Sequence, residues 1–176
     1  FIISNKTFII DDNRTLNYQE LESNGKNLAY YLHKKNIING DRVALLAYNR
    51  IEFAEVLYAT SKIGAIIVPI NFRLSNDEIK KIIIHSKANF FIFDNSFYKV
   101  QEFLIQKNYF IKDKTLCVDD KAYKNIISNI NKKNKIKIKS SNKGNYCSLM
   151  YTSGTTGKPK GVVRDYNGYY SLSSIT

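Results

Sequence analysis

The sequence is short of cysteine and histidine, has no long apolar run, and in one stretch has no acidic residue at all. Its two cysteines, Cys117 and Cys147, lie far apart, with no CxxC pair and no histidine beside them. That spacing excludes a disulfide framework and a zinc site, and is expected of buried free thiols in a cytoplasmic protein. No apolar run approaches the roughly 18–20 residues that cross a bilayer, so no transmembrane segment is expected. The chain begins at Phe1, and no basic, apolar and cleavage regions of a secretory signal can be read there. The two histidines, His33 and His85, fall on a helix face and near a helix end. Neither has a partner at catalytic spacing, and both are read as structural.

The formal net charge is +12, and residues 101–143 carry +7 of it. Within 121–143 there are eight lysines, five asparagines and no acid. Clustered lysine attracts phosphates. This run, however, has Tyr123 as its only aromatic and no arginine to read a base edge. It is therefore read as a solvated, lysine-rich connection, and no specific nucleic acid partner is expected. A non-catalytic polyanion-binding module stays open as an alternative.

What is present suits a globular domain. The chain is 44% hydrophobic and 24% charged, and 176 residues are enough to bury a core. Strand-like segments alternate with helix-like ones. Thr7–Ile10 and residues 15–18 flank an Asp-Asp-Asn-Arg turn and predict a hairpin. Asn17 with Glu20 predicts a capping box at the start of a helix over 18–35, with Leu21, Leu28, Tyr31 and Leu32 near one face. Residues 43–48 read as a buried strand. Ile51–Ile63 reads as a helix with Phe53, Val56, Leu57 and Ile63 at helical spacing, Glu52 and Glu55 on the wet side, and Gly64 at its end. Residues 65–70 are uniformly apolar, as a strand buried on both faces would be. A second capping box, Ser75 with Glu78, precedes Ile79, Ile82 and Ile83. Residues 89–93 (strand), 97–106 (helix) and 115–118 (strand) follow, and Ile136 and Ile138 alternate with lysine as another strand would. Strands alternating with helices imply βαβ units with right-handed crossovers, so 40–120 is expected to be an open, doubly wound sheet.

The most informative stretch is Tyr151-Thr-Ser-Gly-Thr-Thr-Gly-Lys-Pro-Lys-Gly161. It follows an apolar strand over 146–151 and precedes a strand-like Val162-Val163. Gly154 and Gly157 leave the backbone free to turn its N–H groups onto an anion. Thr152, Ser153, Thr155 and Thr156 add hydroxyl donors. Lys158 and Lys160 add positive charge that can offset a leaving pyrophosphate. It is not a Walker A loop, which runs GxxxxGK[ST] into a helix. Here Pro159 follows Lys158, and the pattern predicts strand–loop–strand.

The whole run over 149–161 resembles the signature loop of the adenylate-forming enzymes: acyl-CoA synthetases, luciferase-like ligases and peptide-synthetase adenylation domains. Gly40-Asp-Arg-Val-Ala-Leu-Leu46, the 49–64 helix and Ala65-Ile-Ile-Val-Pro-Ile-Asn71 are similar to the opening of the same family, in the same order. The Asp-Pro pair usual in peptide-synthetase domains near Asn71-Phe72 is missing, which favours the CoA ligases. Arg164-Asp165 departs from the Thr-His pair often found just past the loop.

The resemblance implies an α/β fold: a partial N-terminal domain with βαβ units around a mostly parallel sheet, plus a strand–loop–strand phosphate loop. It implies that a carboxylic acid attacks the α-phosphate of ATP, that pyrophosphate leaves, and that the acyl group passes to coenzyme A or to a carrier-protein thiol. Thr152, Ser153, Gly154, Thr155, Thr156, Gly157 and Lys158 would then bind the phosphates. Thr152 would also touch Mg2+, and Lys160 would be the catalytic cation, with Lys158 turned more to solvent. Arg73 has no role assigned. The family's later parts, a magnesium-holding glutamate motif, an adenine pocket, a ribose aspartate, a hinge and a C-terminal domain, are not found in 1–176. The chain is thus expected to be the N-terminal portion of the large domain, acting with the remainder of the same polypeptide and inactive alone.

Overall fold

The computed structural model of the chain describes residues 5–11, 14–129, 146–152 and 159–168. Its strands are β1 (Thr7–Ile10), β2 (Thr15–Asn17), β3 (Arg42–Leu46), β4 (Ile66–Pro69), β5 (Phe90–Phe93), β6 (Thr115–Cys117), β7 (Tyr146–Thr152) and β8 (Lys160–Asp165). Its helices are α1 (Tyr18–Lys34), α2 (Ile51–Ile63), α3 (Asn76–His85), α4 (Tyr98–Gln106) and α5 (Lys121–Ser128). β1 and β2 form the expected antiparallel hairpin. The other six form one sheet in the order β6-β5-β3-β4-β7-β8. All neighbours are parallel except β7 and β8, which run antiparallel.

Side chains alternate across a strand, so each sheet face collects every second residue. Val43, Leu45, Phe90, Ile92 and Leu116 meet Leu28 and Leu32 of α1, Val56 and Ala59 of α2, and Tyr123 and Ile127 of α5. Ala44, Leu46, Phe91, Phe93 and Cys117 meet Ile79, Ile82 and Ile83 of α3 and Val100 and Leu104 of α4. Helices therefore cover both faces, which is why these strands read as unbroken apolar runs. Fully burying one such aliphatic side chain stabilises the fold by about 1.5–3 kcal/mol.

The predicted helix ends are present. Asn17 Oδ1 accepts from the Glu20 N–H at 2.8 Å, while Glu20 Oε2 accepts from the Asn17 N–H at 2.9 Å. Ser75 and Glu78 make the same reciprocal pair at α3. Hydrogen bonds from Ser75 hold the Glu78 carboxyl below its usual pKa. Gly64 ends α2 at φ 71°, the left-handed conformation that glycine takes without steric cost.

Two expectations differ from what is observed. Residues 121–128 are not a solvated connection but helix α5, which inserts Tyr123 and Ile127 into the core. Residues 130–145, including the strand expected around Ile136 and Ile138, lie outside the described residues. On α2, Leu57 is 42% exposed while Glu55 is fully buried, the reverse of the amphipathic reading. The cause lies in the neighbours of α2: α1 and α5 close over the carboxylate side and supply polar partners there.

Candidate functional site: the loop between two antiparallel strands

β7 lies beside β4 and parallel to it, with Ile67 opposite Ser148. The loop after β7 thus leaves from the same edge of the sheet as the loops after β3 and β4. The loop after β3 leads to α2 on one face, and the loop after β4 leads to α3 on the other. A sheet whose loops part in this way leaves a crevice at its carboxyl edge. Asp94 ties the loops there: its carboxylate accepts from the Tyr48 and Ser96 N–H groups, each at 2.9 Å. Tyr48 packs edge-to-face on Phe72 at 4.7 Å between centroids, and the Arg73 guanidinium lies over the Phe72 ring at 5.6 Å.

The stems of the candidate phosphate loop form a regular antiparallel ladder. Tyr151 is opposite Gly161, and Thr152 is opposite Lys160. Thr152 and Lys160 are exposed at the top of that ladder, one on each stem. Ser153, Gly154, Thr155, Thr156, Gly157 and Lys158 lie outside the described residues. The two flanking strands are therefore as predicted, and Thr152 and Lys160 stand opposite each other at their ends.

Among the described residues, no group of three His, Cys, Asp or Glu side chains could hold a metal ion by itself. The exposed Thr152 hydroxyl is a hard oxygen donor, the kind of ligand magnesium takes alongside substrate phosphates. That donor set suits an ion carried in with a nucleotide.

Reading the sequence missed two features. Glu55 is fully buried and accepts hydrogen bonds from Arg14 Nη2 at 2.8 Å, Asn24 Nδ2 at 2.9 Å and the Tyr123 hydroxyl at 2.7 Å. Burial, and then the Glu55 charge, push the Tyr123 phenol pKa well up. Glu52 joins the same network, accepting from Arg50 at 2.6 Å, and Arg50 also reaches Asp119 at 2.9 Å. Burial opposes the Arg50 charge, but these two bonds outweigh it and raise its pKa. The second feature is the partner of His85: its Nδ1 lies 2.7 Å from the Tyr151 hydroxyl. Sequence spacing hides both, because the partners stand 31 to 68 residues apart.

Comparison with known proteins bears on the family and the fold. The chain is 30% identical over 170 residues to a 2-succinylbenzoate–CoA ligase of Oceanobacillus iheyensis, covering 96% of this chain and 33% of that protein. An O-succinylbenzoate coenzyme A synthetase from Bacillus subtilis, solved with AMP, superposes with a TM-score of 0.76 at 28% identity, over 96% of this chain and 41% of that one. An anthranilate CoA ligase, solved with anthranoyl-AMP, shares the fold at a TM-score of 0.87 and 23% identity, over 98% of this chain and 33% of that one. The chain thus spans about a third of the length of the curated CoA ligase it matches. The pattern of the AMP-binding enzymes matches residues 4–175, nearly the whole sequence, and the chain belongs to that family.

Proposed function

We propose that this chain is the N-terminal portion of the large domain of an AMP-forming carboxylate–CoA ligase, with a separate C-terminal domain in the remainder of the same polypeptide. The observation that carries the reading is the ladder that sets Thr152 opposite Lys160 at the carboxyl edge of the sheet. In this reading Thr152, Ser153, Thr155 and Thr156 donate to the β- and γ-phosphates of ATP, and Gly154 and Gly157 let the backbone approach them closely. Lys158 adds charge at the solvent side. As the carboxylate attacks the α-phosphate, negative charge grows on the departing pyrophosphate, and Lys160 stabilises it more than the ground state. Thr152 would hold Mg2+ together with those phosphates, and the ion would neutralise part of their charge. Coenzyme A then takes the acyl group. Asn71-Phe72, in place of an Asp-Pro pair, favours coenzyme A over a carrier-protein thiol. The cysteine usage fits a cytoplasmic location, and no described helix is long and apolar enough to cross a membrane.

Two measurements on the full-length protein test this. Carboxylate-dependent ATP–pyrophosphate exchange is expected, and its absence across a panel of aliphatic and aryl acids overturns the reading. Thioester formation with coenzyme A is expected next. Transfer only to a carrier-protein thiol would keep the adenylation and replace the acceptor.

A further inference from the structure

We infer that His85 is a positioning residue for the phosphate loop, acting through Tyr151 on both stems at once; this rests on the function proposed above. Tyr151 precedes Thr152 on β7 and faces Gly161 on β8. Its ring is partly buried against the apolar layer under α3 and α4. It also lies over Gly161: a Cβ built there would meet Tyr151 Cε1 and Cζ at 3.5 Å and Leu149 Cδ1 at 2.9 Å. The ring thus rests on the β8 backbone at Gly161, while it is Leu149 that leaves no room for a side chain there. The residues just beyond that ring on each stem are Thr152 and Lys160.

The ring has one polar handle, its hydroxyl, and His85 holds it. The rings meet edge-to-face, with centroids 5.8 Å apart at 85°. His85 is the last residue of α3, a helix seated on the sheet by Ile79, Ile82 and Ile83. The next residue, Ser86, is anchored too: its hydroxyl donates to the Ile83 carbonyl at 2.8 Å, and its carbonyl accepts from Arg42 Nε of β3 at 3.2 Å. His85 itself is exposed and contributes no core packing. Its place in the fold is explained by fixing the Tyr151 ring, and through it the spacing of Thr152 and Lys160. Small misplacements of a phosphate-holding group are costly, about 100-fold in rate for 1 Å.

Steady-state ATP–pyrophosphate exchange by the full-length protein tests this. Tyr151→Phe keeps the ring and removes the handle, and His85→Ala removes the holder. Each is expected to raise the KM for ATP about tenfold through loss of positioning, with the KM for the carboxylate within about twofold and the melting temperature within about 2 °C. His85→Gln, which can still bond the phenol, is expected to recover most of the loss. The double variant is expected to be no worse than the worse single, because both remove one interaction. Wild-type kinetics for both singles, or losses that follow a fall in melting temperature, overturn the inference. A wild-type protein with no exchange at all overturns the proposed function itself, a different result from an active wild type with an indifferent Tyr151→Phe.

Discussion

Lys160 stands on the stem of the proposed phosphate loop, exposed and with Thr152 opposite. Its charge matters most where negative charge is growing, so Lys160→Ala is expected to lower exchange about 100- to 1,000-fold, the usual cost of removing one such stabilising group. Substrate affinity should move less than turnover; an equal loss in KM alone would make Lys160 a binding group. Glu55 plays the opposite part. It is far from the loop in function and buried with three donors around it. Removing one partner of a buried charged network leaves the rest uncompensated, so Glu55→Ala is expected to cost about 3–5 kcal/mol. Tyr123→Phe, which removes one of the three donors, is expected to cost about 1–3 kcal/mol. Urea denaturation of the full-length protein measures both, and a change under 0.5 kcal/mol (an order-of-magnitude threshold for surface sites) would mean the network is not formed.

At the scale of elements, helix ends carry the clearest expectations. Gly64 closes α2 with φ 71°, and a Cβ there would sit 2.3 Å from Asn39 Oδ1. Gly64→Ala is thus expected to destabilise by more than the roughly 1 kcal/mol that alanine gains where the backbone is compatible. At α3, the capping box lowers the Glu78 pKa from its model-peptide value of 4.5. The folded-state pKa is depressed, so this contribution is present above pH 4.5 and is lost as pH falls through the lower folded value. Ser75→Ala should cost about 1 kcal/mol near neutral pH and should flatten the acid dependence of α3. Amide exchange of α3 residues between pH 6 and 3 checks this; an unchanged pH profile would remove Glu78 from the cap. Both boxes were legible because a cap is a four-residue pattern. The stop of α1 and the start of α4 were read one residue away from where they lie, as fraying ends allow.

At the scale of the whole molecule, the sheet ends on β8, which has no further neighbour among the described residues. Val162 and Val163 on β8 and Tyr146 and Met150 on β7 are exposed. An exposed apolar edge strand seeks a partner. The 176-residue chain by itself is expected to self-associate and to bind a dye for exposed apolar surface, whereas the full-length protein is not. Light scattering that finds a monodisperse, dye-free chain would remove this expectation. The isolated chain is likewise expected not to complete adenylation, and carboxylate-dependent pyrophosphate exchange by it would refute that.

By itself, the amino-acid order determined the alternation of strands and helices from β1 to β6, the two capping boxes and the two-faced burial of β4. Each of these is local: periodicity, caps and glycine placement act within a few residues. Only the tertiary structure decided which side of α2 is wet, that the first turns of the lysine-rich segment form α5, and that His85 reaches Tyr151. These depend on chain segments brought together from 31 to 68 residues away. A carboxylate such as Glu55 reads as surface until Arg14, Asn24 and Tyr123 converge on it, because burial of a charge is affordable only where its partners meet, and that meeting is a property of the fold.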